Sequence, residues 1–306
     1  MSAALQPAPA RPTVRQRAFA ERAAGTVRRR KALNVFMLLL LSIAAVAATL
    51  PLLVILAHLL KQGVTSLSWN FFTKMPVPAG ESGGGLANAI VGTLILVGVG
   101  ALGGLPVGIG AGLYLAERGQ TRLATVVRFL SDVLNGLPSI VMGIFAWEVI
   151  VRPMGHFSAI AGGLALGAMM IPMVARTTEE MVRTVPNALR EAALALGYAR
   201  WRTSLVIVLR TASAGIVTGA LVALARIAGE TAPLLFTALG NQFWSVSLRQ
   251  PISALPLQIY NYAISPYDDQ HSLAWAGALV LIGLVLGISI VARFVTRSHG
   301  GSSHGD

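Results

Sequence analysis

Six long apolar runs, separated by polar segments, organise the 306-residue chain. Each run is close to or longer than the roughly 20 residues that an α-helix needs to cross the hydrocarbon core of a bilayer. We therefore predict an all-α membrane protein with six transmembrane helices. The runs lie at about residues 33–60, 87–115, 126–151, 157–175, 204–229 and 273–295, and we expect kinks at Pro106, Pro138 and Pro172.

The segments before and after the six runs are predicted to be tails. Residues 1–32 hold eight Arg and Lys residues among Pro and Ala, which is typical of an irregular or loosely surface-bound segment. The run at 33–60 is much longer than a signal-peptide core of about 7 to 15 residues, so we expect it to remain as the first span. The predicted organisation is a basic tail at 1–32, a transmembrane domain at 33–296 and a second tail at 297–306.

Composition supports the membrane class and excludes several others. Hydrophobic residues make up 55% of the chain and charged residues 12%, against about 25% charged residues in an ordinary soluble domain. The net charge of +12 is dispersed between apolar runs, which argues against nucleic acid as a partner. Because the chain has no cysteine, disulfides, thiolate metal sites and cysteine nucleophiles are excluded.

The basic residues predict the orientation of the spans. If the N-terminus is cytoplasmic, the inner segments hold 19 of the 24 Lys and Arg residues and the outer segments hold four, and Arg226 remains inside a span. The positive-inside rule favours this topology over its inverse. We therefore predict a multi-pass protein of the inner (plasma) membrane with both tails cytoplasmic. The segment at 184–210 then lies in the cytoplasm between the fourth and fifth spans.

Glycines at every fourth position mark one face of the second span. Such a ridge allows another helix to approach closely, either within the bundle or from a second membrane subunit. The glycines concerned are Gly100, Gly104, Gly108 and Gly112. The two long outer segments, 61–86 and 230–272, carry aromatic residues that are typical of an interfacial belt or of a docking face for an external solute-binding protein. These are Trp69, Phe71, Phe72, Trp244, Tyr260, Tyr262 and Tyr267.

The polar segment at 184–210 predicts a short amphipathic helix followed by a sharp turn and a new helix. Thr184 and Pro186 are typical of a helix start, and Gly197 takes the position of a left-handed C-terminal cap. Apolar positions with helical spacing are Leu189, Ala192, Ala193 and Leu196. From these residues alone, either an ordinary loop helix or a docking helix for a partner remains open.

The order Glu191-Ala192-Ala193, followed by Gly197, resembles the EAA loop of ABC-transporter membrane subunits. In that family this short helix docks into a cleft on the ATPase. The pattern continues through residues 207–209, although Arg210 stands where the family usually has proline. The resemblance implies that the ATPase-coupling residues are Glu191, Ala192, Ala193 and Gly197.

Arg226 is the candidate residue for substrate chemistry. An ionised group within hydrocarbon costs about 2.5 to 3.5 kcal/mol, so its presence in a span asks for a reason. Glu230 follows Arg226 at a helical spacing of four. The arginine either forms a structural pair with Glu230 or reaches the membrane surface, or it lines a path and binds an anion through its planar, permanently charged fork.

Residues 225–238 closely resemble the corresponding segment of the PstA family, the permease subunits of phosphate-specific ABC transporters. Residues 83–94 and 136–143 resemble other segments of the same family, and the likeness extends from about residue 80 to 295. The resemblance implies a type I importer fold and a phosphate path that includes Arg226 and Glu230. It also implies four kinds of partner: a PstC-like second permease subunit, two PstB-like ATPases, a PstS-like phosphate-binding protein and membrane lipid.

The sequence does not predict an enzyme. A nucleotide-binding P-loop needs Gly before its lysine, whereas Lys31, Lys61 and Lys74 follow other residues, and no HExxH metal motif is present. We expect no cofactor or metal on this chain, with ATP and Mg²⁺ bound by the partner ATPases. The predicted function is permeation of inorganic phosphate. The alternatives are another oxyanion or small solute in the same architecture, and a secondary transporter or membrane signalling scaffold without an ATPase.

Overall fold

Helices form nearly all of the regular secondary structure in the described part of the chain. The computed structural model describes the backbone of residues 14–78, 80–81 and 83–300, and within those ranges the side chains of residues 30–290. An isolated parallel bridge joins Leu239 to Ile252. The chain divides into two units between His58 and Leu59.

The helices are numbered in chain order. Short ones at the ends of the bundle are α2 (Trp69–Thr73), α7 (Asn187–Ala195), α9 (Ala232–Thr237) and α10 (Leu255–Ala263). Long ones are α1 (Val14–Ser66), α3 (Ala87–Glu117), α6 (Ala159–Arg183), α8 (Arg200–Ala228) and α11 (Asp268–Gly300). Between α3 and α6 lie α4 (Arg122–Gly136) and α5 (Ser139–Met154). Both α5 and α8 contain a π-helical stretch, at Trp147–Val151 and Thr203–Val208.

The first helix begins earlier than the apolar pattern predicts. It starts at Val14 and continues through Pro51 to Ser66, so residues 14–32 are helical rather than irregular. The physical reason is that Ala and Arg, which dominate this stretch, have high helix propensity even where apolar periodicity is weak. Residues 1–13 of the predicted tail and 301–306 of the C-terminal tail lie outside the described residues.

The third predicted span contains a sharp break where the sequence predicts a kink at Pro138. Five described helices are long and apolar enough to cross a membrane, and a sixth crossing is available only as the pair α4 and α5, which are bent by 109°. Leu137 has an extended backbone at the break, and Pro138 caps α5. A residue before proline is driven out of the helical region, so the chain turns there. Pro106 and Pro172 instead lie inside helices without a break.

The glycine ridge packs inside the bundle, against α6. Gly100, Gly104, Gly108 and Gly112 are all buried. A Cβ atom added at Gly104 would lie 2.9 Å from the carbonyl oxygen of Gly167, so α3 and α6 touch through their backbones. The prediction of close helix packing on this face is thus confirmed, with α6 as the partner helix.

The segment after α9 folds over the first turn of α6. The backbone N–H groups of Ser158, Ala159 and Ile160 donate to the carbonyls of Thr237, Gln250 and Leu248 at 3.1, 3.0 and 3.0 Å. The Ser158 hydroxyl accepts from Ala161 N at 3.1 Å. The N–H groups at the start of α6, which have no partners within that helix, are therefore all hydrogen-bonded. These bonds hold the start of α6 against α9 and the segment that follows it.

The aromatic residues of the two outer segments are divided between surface and core. Trp69 and Trp244 are exposed, as the belt and docking interpretations both require. Phe71 and Tyr262 are buried in a cluster with Leu86 and Leu255, so they do not belong to either kind of surface. The local sequence does not predict that these two residues are buried, because the elements that cover them are distant in sequence.

Candidate functional site

The short amphipathic helix that the sequence predicts around Glu191 is present as α7. Pro186 precedes its first residue, as the sequence predicts. At its end, Gly197 has a φ of 83°, its N–H donates to Leu194 O at 3.0 Å, and the N–H of Tyr198 donates to Ala193 O at 3.1 Å. These two bonds form a Schellman motif, which requires a left-handed residue at position 197. The sharp turn before α8 follows from this cap.

The surface of α7 is exposed on the side that carries Glu191. Ala193 is buried, and α7 contacts the π-helical stretch at the start of α8. Leu189, Ala192 and Leu196 are exposed, so the predicted apolar stripe is not a core face of this chain. Within the described residues, no cation pairs with the Glu191 carboxylate. The exposed face combines three apolar side chains with one carboxylate that has no cationic partner in the described part of the chain. This composition is typical of a surface that binds another protein.

Arg190, the residue next to Glu191, points in the other direction and attaches α7 to the bundle. Its guanidinium forms an ion pair with Glu117 at the end of α3, and its Nη2 donates to Val182 O in α6 at 3.0 Å. The two charged side chains are only 21% and 29% exposed. The sequence analysis missed this pair because its members are separated by 73 positions.

A second ionic cluster lies beside the first. The Glu179 carboxylate, with a side chain only 6% exposed, accepts a hydrogen bond from Arg128 of α4 at 2.7 Å and forms an ion pair with Arg183 of α6 at 2.6 Å. The spacing of four between Glu179 and Arg183 is visible in the sequence, whereas Arg128 gives no local signal. The cluster joins α4 to α6 at the end of the bundle that carries α7.

Arg226 and Glu230 lie near each other at the opposite end of α8. The distance from Arg226 Nε to Glu230 Oε1 is 3.7 Å, which is within ion-pair range but too long for a hydrogen bond. The Arg226 side chain is 58% exposed and that of Glu230 is 16% exposed. Since α8 ends at Ala228, Glu230 lies in the turn before α9 and not on the helix face that its spacing predicts. The pair therefore offers an accessible guanidinium beside a largely buried carboxylate.

One helix connects the two candidate regions. From Thr203, beside α7, to Arg226 is roughly 35 Å at 1.5 Å per residue. No group of three His, Asp or Glu side chains in the described part of the chain is arranged to hold a metal ion. The geometry thus places a short exposed helix at one end of α8 and an exposed guanidinium at the other.

Comparisons with known proteins identify the family to which the chain belongs. The family model for the binding-protein-dependent transport system inner membrane component matches residues 108–299. The phosphate transport system permease protein PstA of Yersinia pestis is 48% identical over 248 residues, which cover 80% of this chain and 84% of that protein. The PstA protein of Haemophilus influenzae is 47% identical over 265 residues, covering 86% and 94%.

Solved structures show where the fold has been seen before. The MetNI methionine ABC transporter in an inward-facing conformation matches with a TM-score of 0.56 and 22% identity, over 69% of this chain and 93% of that one. A bacterial ABC transporter that imports the acidic polysaccharide alginate matches with a TM-score of 0.57 and 15% identity, over 90% and 99%. At these identities the likeness establishes the fold, which is that of ABC importer membrane subunits.

Proposed function

The chain belongs to the PstA family of phosphate transport system permease proteins, and from this premise we propose that it carries inorganic phosphate in an ATP-driven importer. The observation that supports the proposal best is the placement of an exposed docking helix and an exposed arginine at opposite ends of α8. A permease that is driven from one side and receives its substrate on the other needs this separation.

The docking helix α7 faces the cytoplasm in the proposed orientation, as the distribution of basic residues predicts. Its exposed surface, with Glu191 and the apolar side chains around it, binds a PstB-like ATPase, and a second copy of that ATPase binds the other permease subunit. ATP and Mg²⁺ are bound and ATP is hydrolysed on those subunits, so this chain is not catalytic. ATP-driven closure of the ATPases moves α7, and the spans change between inward-facing and outward-facing arrangements.

Arg226 is the proposed phosphate-binding residue of this chain. Its guanidinium is permanently charged, and its planar fork matches two phosphate oxygens. Glu230 holds the guanidinium when no anion is present and competes with the anion when one arrives. A transport site has to release its ligand as well as bind it, so a cation moderated by a nearby carboxylate is suitable.

The 58% exposure of Arg226 within this single chain suggests that further groups complete the site. A PstC-like second permease subunit is the proposed source of those groups, because an oxyanion in a membrane pathway needs more than one cation to replace its lost hydration. A PstS-like binding protein delivers phosphate at the same end, where the exposed Trp69 and Trp244 provide contact surface.

Transport by the assembled complex tests the proposal. Uptake of phosphate, sulfate and molybdate is measured in proteoliposomes that contain both permeases and the ATPases, with the binding protein outside. We expect ATP-dependent uptake of phosphate alone, lost in Arg226→Gln and retained in Arg152→Gln, whose arginine forms an exposed ion pair with Glu148 on α5. Uptake of sulfate or molybdate instead of phosphate would assign another oxyanion, and wild-type uptake by Arg226→Gln would make Arg226 a structural residue.

Capture of the ATPase tests the docking helix separately. We expect the tagged chain to retain the ATPase on an affinity column, and we expect Glu191→Arg to abolish retention. Glu180→Arg is the matched control, because Glu180 is also an exposed carboxylate on the helix that precedes α7. If Glu191→Arg did not change retention, or if the wild-type chain retained no ATPase, a secondary transporter or a signalling scaffold would be favoured.

A further inference from the structure

The contacts of α7 with the rest of the chain are few and of two kinds. Apolar packing places the buried Ala193 on the side of the helix that meets α8. Polar contact is made by Arg190, which reaches Glu117 of α3 and the Val182 carbonyl of α6 at once. The side chain next to it, Glu191, is exposed on the other side of the helix. Adjacent residues thus face the proposed ATPase and the membrane bundle.

Glu117 is well placed to pass on a movement of α7. It is the last residue of α3, and the turn that follows leads directly to α4 at Arg122. A Cβ atom on Gly119 in this turn would lie 3.3 Å from Arg183 Nη2 and 3.4 Å from Arg128 Nη2. The turn therefore lies between the Arg190 ion pair on one side and the Glu179 cluster on the other.

From this turn, packed elements continue to the other end of the molecule. The helix α4 leads through the break at Pro138 into α5. Gly143 of α5 lies against Pro233 and Phe236 of α9, where an added Cβ atom would be 2.7 Å from Pro233 Cα. The helix α9 begins two residues after Glu230. Bonded and packed elements thus connect the α3–α4 turn to the neighbourhood of the proposed phosphate site.

We infer that Arg190 is a positioning residue that fastens the docking helix to the membrane bundle through Glu117, so that ATPase movement reaches α3 and the α3–α4 turn. This inference rests on the proposed function, since it concerns how the same docking helix acts. Without the fastening, α7 would remain joined through its flanking backbone and the contact with α8, and would pivot on them.

The chemistry of arginine suits this role. One guanidinium can donate to a carboxylate and to a carbonyl in the same plane, which a lysine ammonium does less well. The partial burial of both partners limits competition from water. A buried ion pair contributes little net stability, because desolvation offsets the attraction, but it specifies one arrangement of the elements that it joins. A joint that transmits force requires such an arrangement.

The test compares transport with ATP hydrolysis in the full complex in proteoliposomes. We expect Arg190→Gln and Glu117→Gln to keep ATPase capture and ATP hydrolysis, and to lower the phosphate transported per ATP by about tenfold, a typical coupling between sites. The exchanged pair Arg190→Glu with Glu117→Arg should restore a large part of the ratio. The double variant Glu148→Gln with Arg152→Gln, which removes an exposed pair on α5, is the control and should keep the wild-type ratio.

A second readout does not depend on which anion is transported. Because the chain has no cysteine, spin labels can be placed at Val149→Cys in α5 and Val222→Cys in α8, two exposed positions. In the otherwise wild-type complex, ATP should change the distance between the labels, and Arg190→Gln should abolish most of that change while the ATPase stays bound.

Three results would overturn the inference. These are an unchanged phosphate-to-ATP ratio in Arg190→Gln, an unchanged label response, or equal loss of transport and hydrolysis with no rescue by the exchanged pair, which indicates a purely structural role. By contrast, a labelled complex that keeps Arg190 could respond to ATP but transport no phosphate. That result would contradict the proposed substrate, and the label response of Arg190→Gln would still test the inference.

Discussion

The two ends of α8 use charge in opposite ways. At the α7 end, Arg190, Glu117 and Glu179 are at least two-thirds buried, and each has a close ionic partner within the chain. At the other end, Arg226 is more than half exposed, and its carboxylate partner is 3.7 Å away. The ion pairs of the first end are formed within this chain, whereas the second end has a cation with unused hydrogen-bonding capacity.

This difference follows from what each end is proposed to do. A joint that transmits force has to keep one geometry, so its charges are paired, shielded from water and joined to several helices. A site through which an anion passes has to exchange partners, so its cation is accessible and only loosely held. Substitutions at the two ends should therefore affect different measured quantities, stability and coupling at one end and transport at the other.

The largest effect is expected from Glu179→Gln. Loss of this buried carboxylate removes the anion that Arg128 and Arg183 share. Removing one partner of a buried ion pair lowers the free energy of unfolding by about 3 kcal/mol. A thermal unfolding scan of the purified complex should show a clear decrease in the midpoint, with Glu180→Gln as the exposed neighbouring control and Arg226→Gln close to wild type. A midpoint for Glu179→Gln equal to that of Glu180→Gln would contradict the contrast between the two ends.

The next effect is expected from the helix pair that joins the two ends. In Gly104→Ala the new methyl group would meet Gly167 O at 2.9 Å, so α3 and α6 must separate slightly, at about 1 to 3 kcal/mol in stability. In the matched variant Gly103→Ala the added atom meets nothing within 4 Å. Alanine favours helix over glycine by about 1 kcal/mol, so Gly103→Ala should be neutral or stabilising. If the two variants had the same unfolding midpoint, direct backbone contact between α3 and α6 would be disproved.

A smaller effect is expected from Arg226→Lys. The ammonium keeps the positive charge but loses the planar fork, so phosphate uptake at limiting concentration should fall by about tenfold without any change in unfolding midpoint. Uptake rates at several phosphate concentrations, measured beside those of Arg226→Gln, separate weaker binding from total loss. If lysine transports as well as arginine, charge alone suffices at this position. If lysine is as inactive as glutamine, the fork is essential.

Local patterns in the sequence predicted much of the fold and part of the site. Hydrophobic run length located the spans, and glycine spacing located the α3 face that packs on α6, because both signals arise within one helix. The C-terminal cap of α7 followed from Gly197 alone. These features depend on residues within a few positions of each other, and periodicity in a single sequence detects relations over that distance.

The features that were missed depend on residues distant in sequence. The ion pair of Arg190 with Glu117 and the attachment of Arg128 to Glu179 arise from packing between helices, and no spacing rule contains them. The break at Pro138 was expected as a kink, but its size of 109° depends on how α5 meets α9. Glu230 left the helix face because α8 ended two residues earlier, and helix ends are the least certain part of such predictions.

The smallest predicted effect concerns the turn after α7. Gly197 has a φ of 83°, and a side chain there costs about 1 kcal/mol in backbone strain although nothing lies within 4 Å of its would-be Cβ. Gly197→Ala should therefore weaken ATPase capture by a few fold, since the strain favours loss of the Schellman cap and of the orientation of α7. Gly197→Asn should be milder, because asparagine tolerates the left-handed region.

Gly155, at the end of α5, provides the control that separates position from strain. Its φ is 74°, and an added Cβ atom would again meet nothing within 4 Å, so Gly155→Ala imposes a comparable backbone penalty away from α7. Affinity measurements with the purified ATPase should show weakening for Gly197→Ala and none for Gly155→Ala, with similar small losses of stability in both. Equal weakening would mean that strain anywhere in the chain impairs docking, and the special role of the α7 cap would be lost.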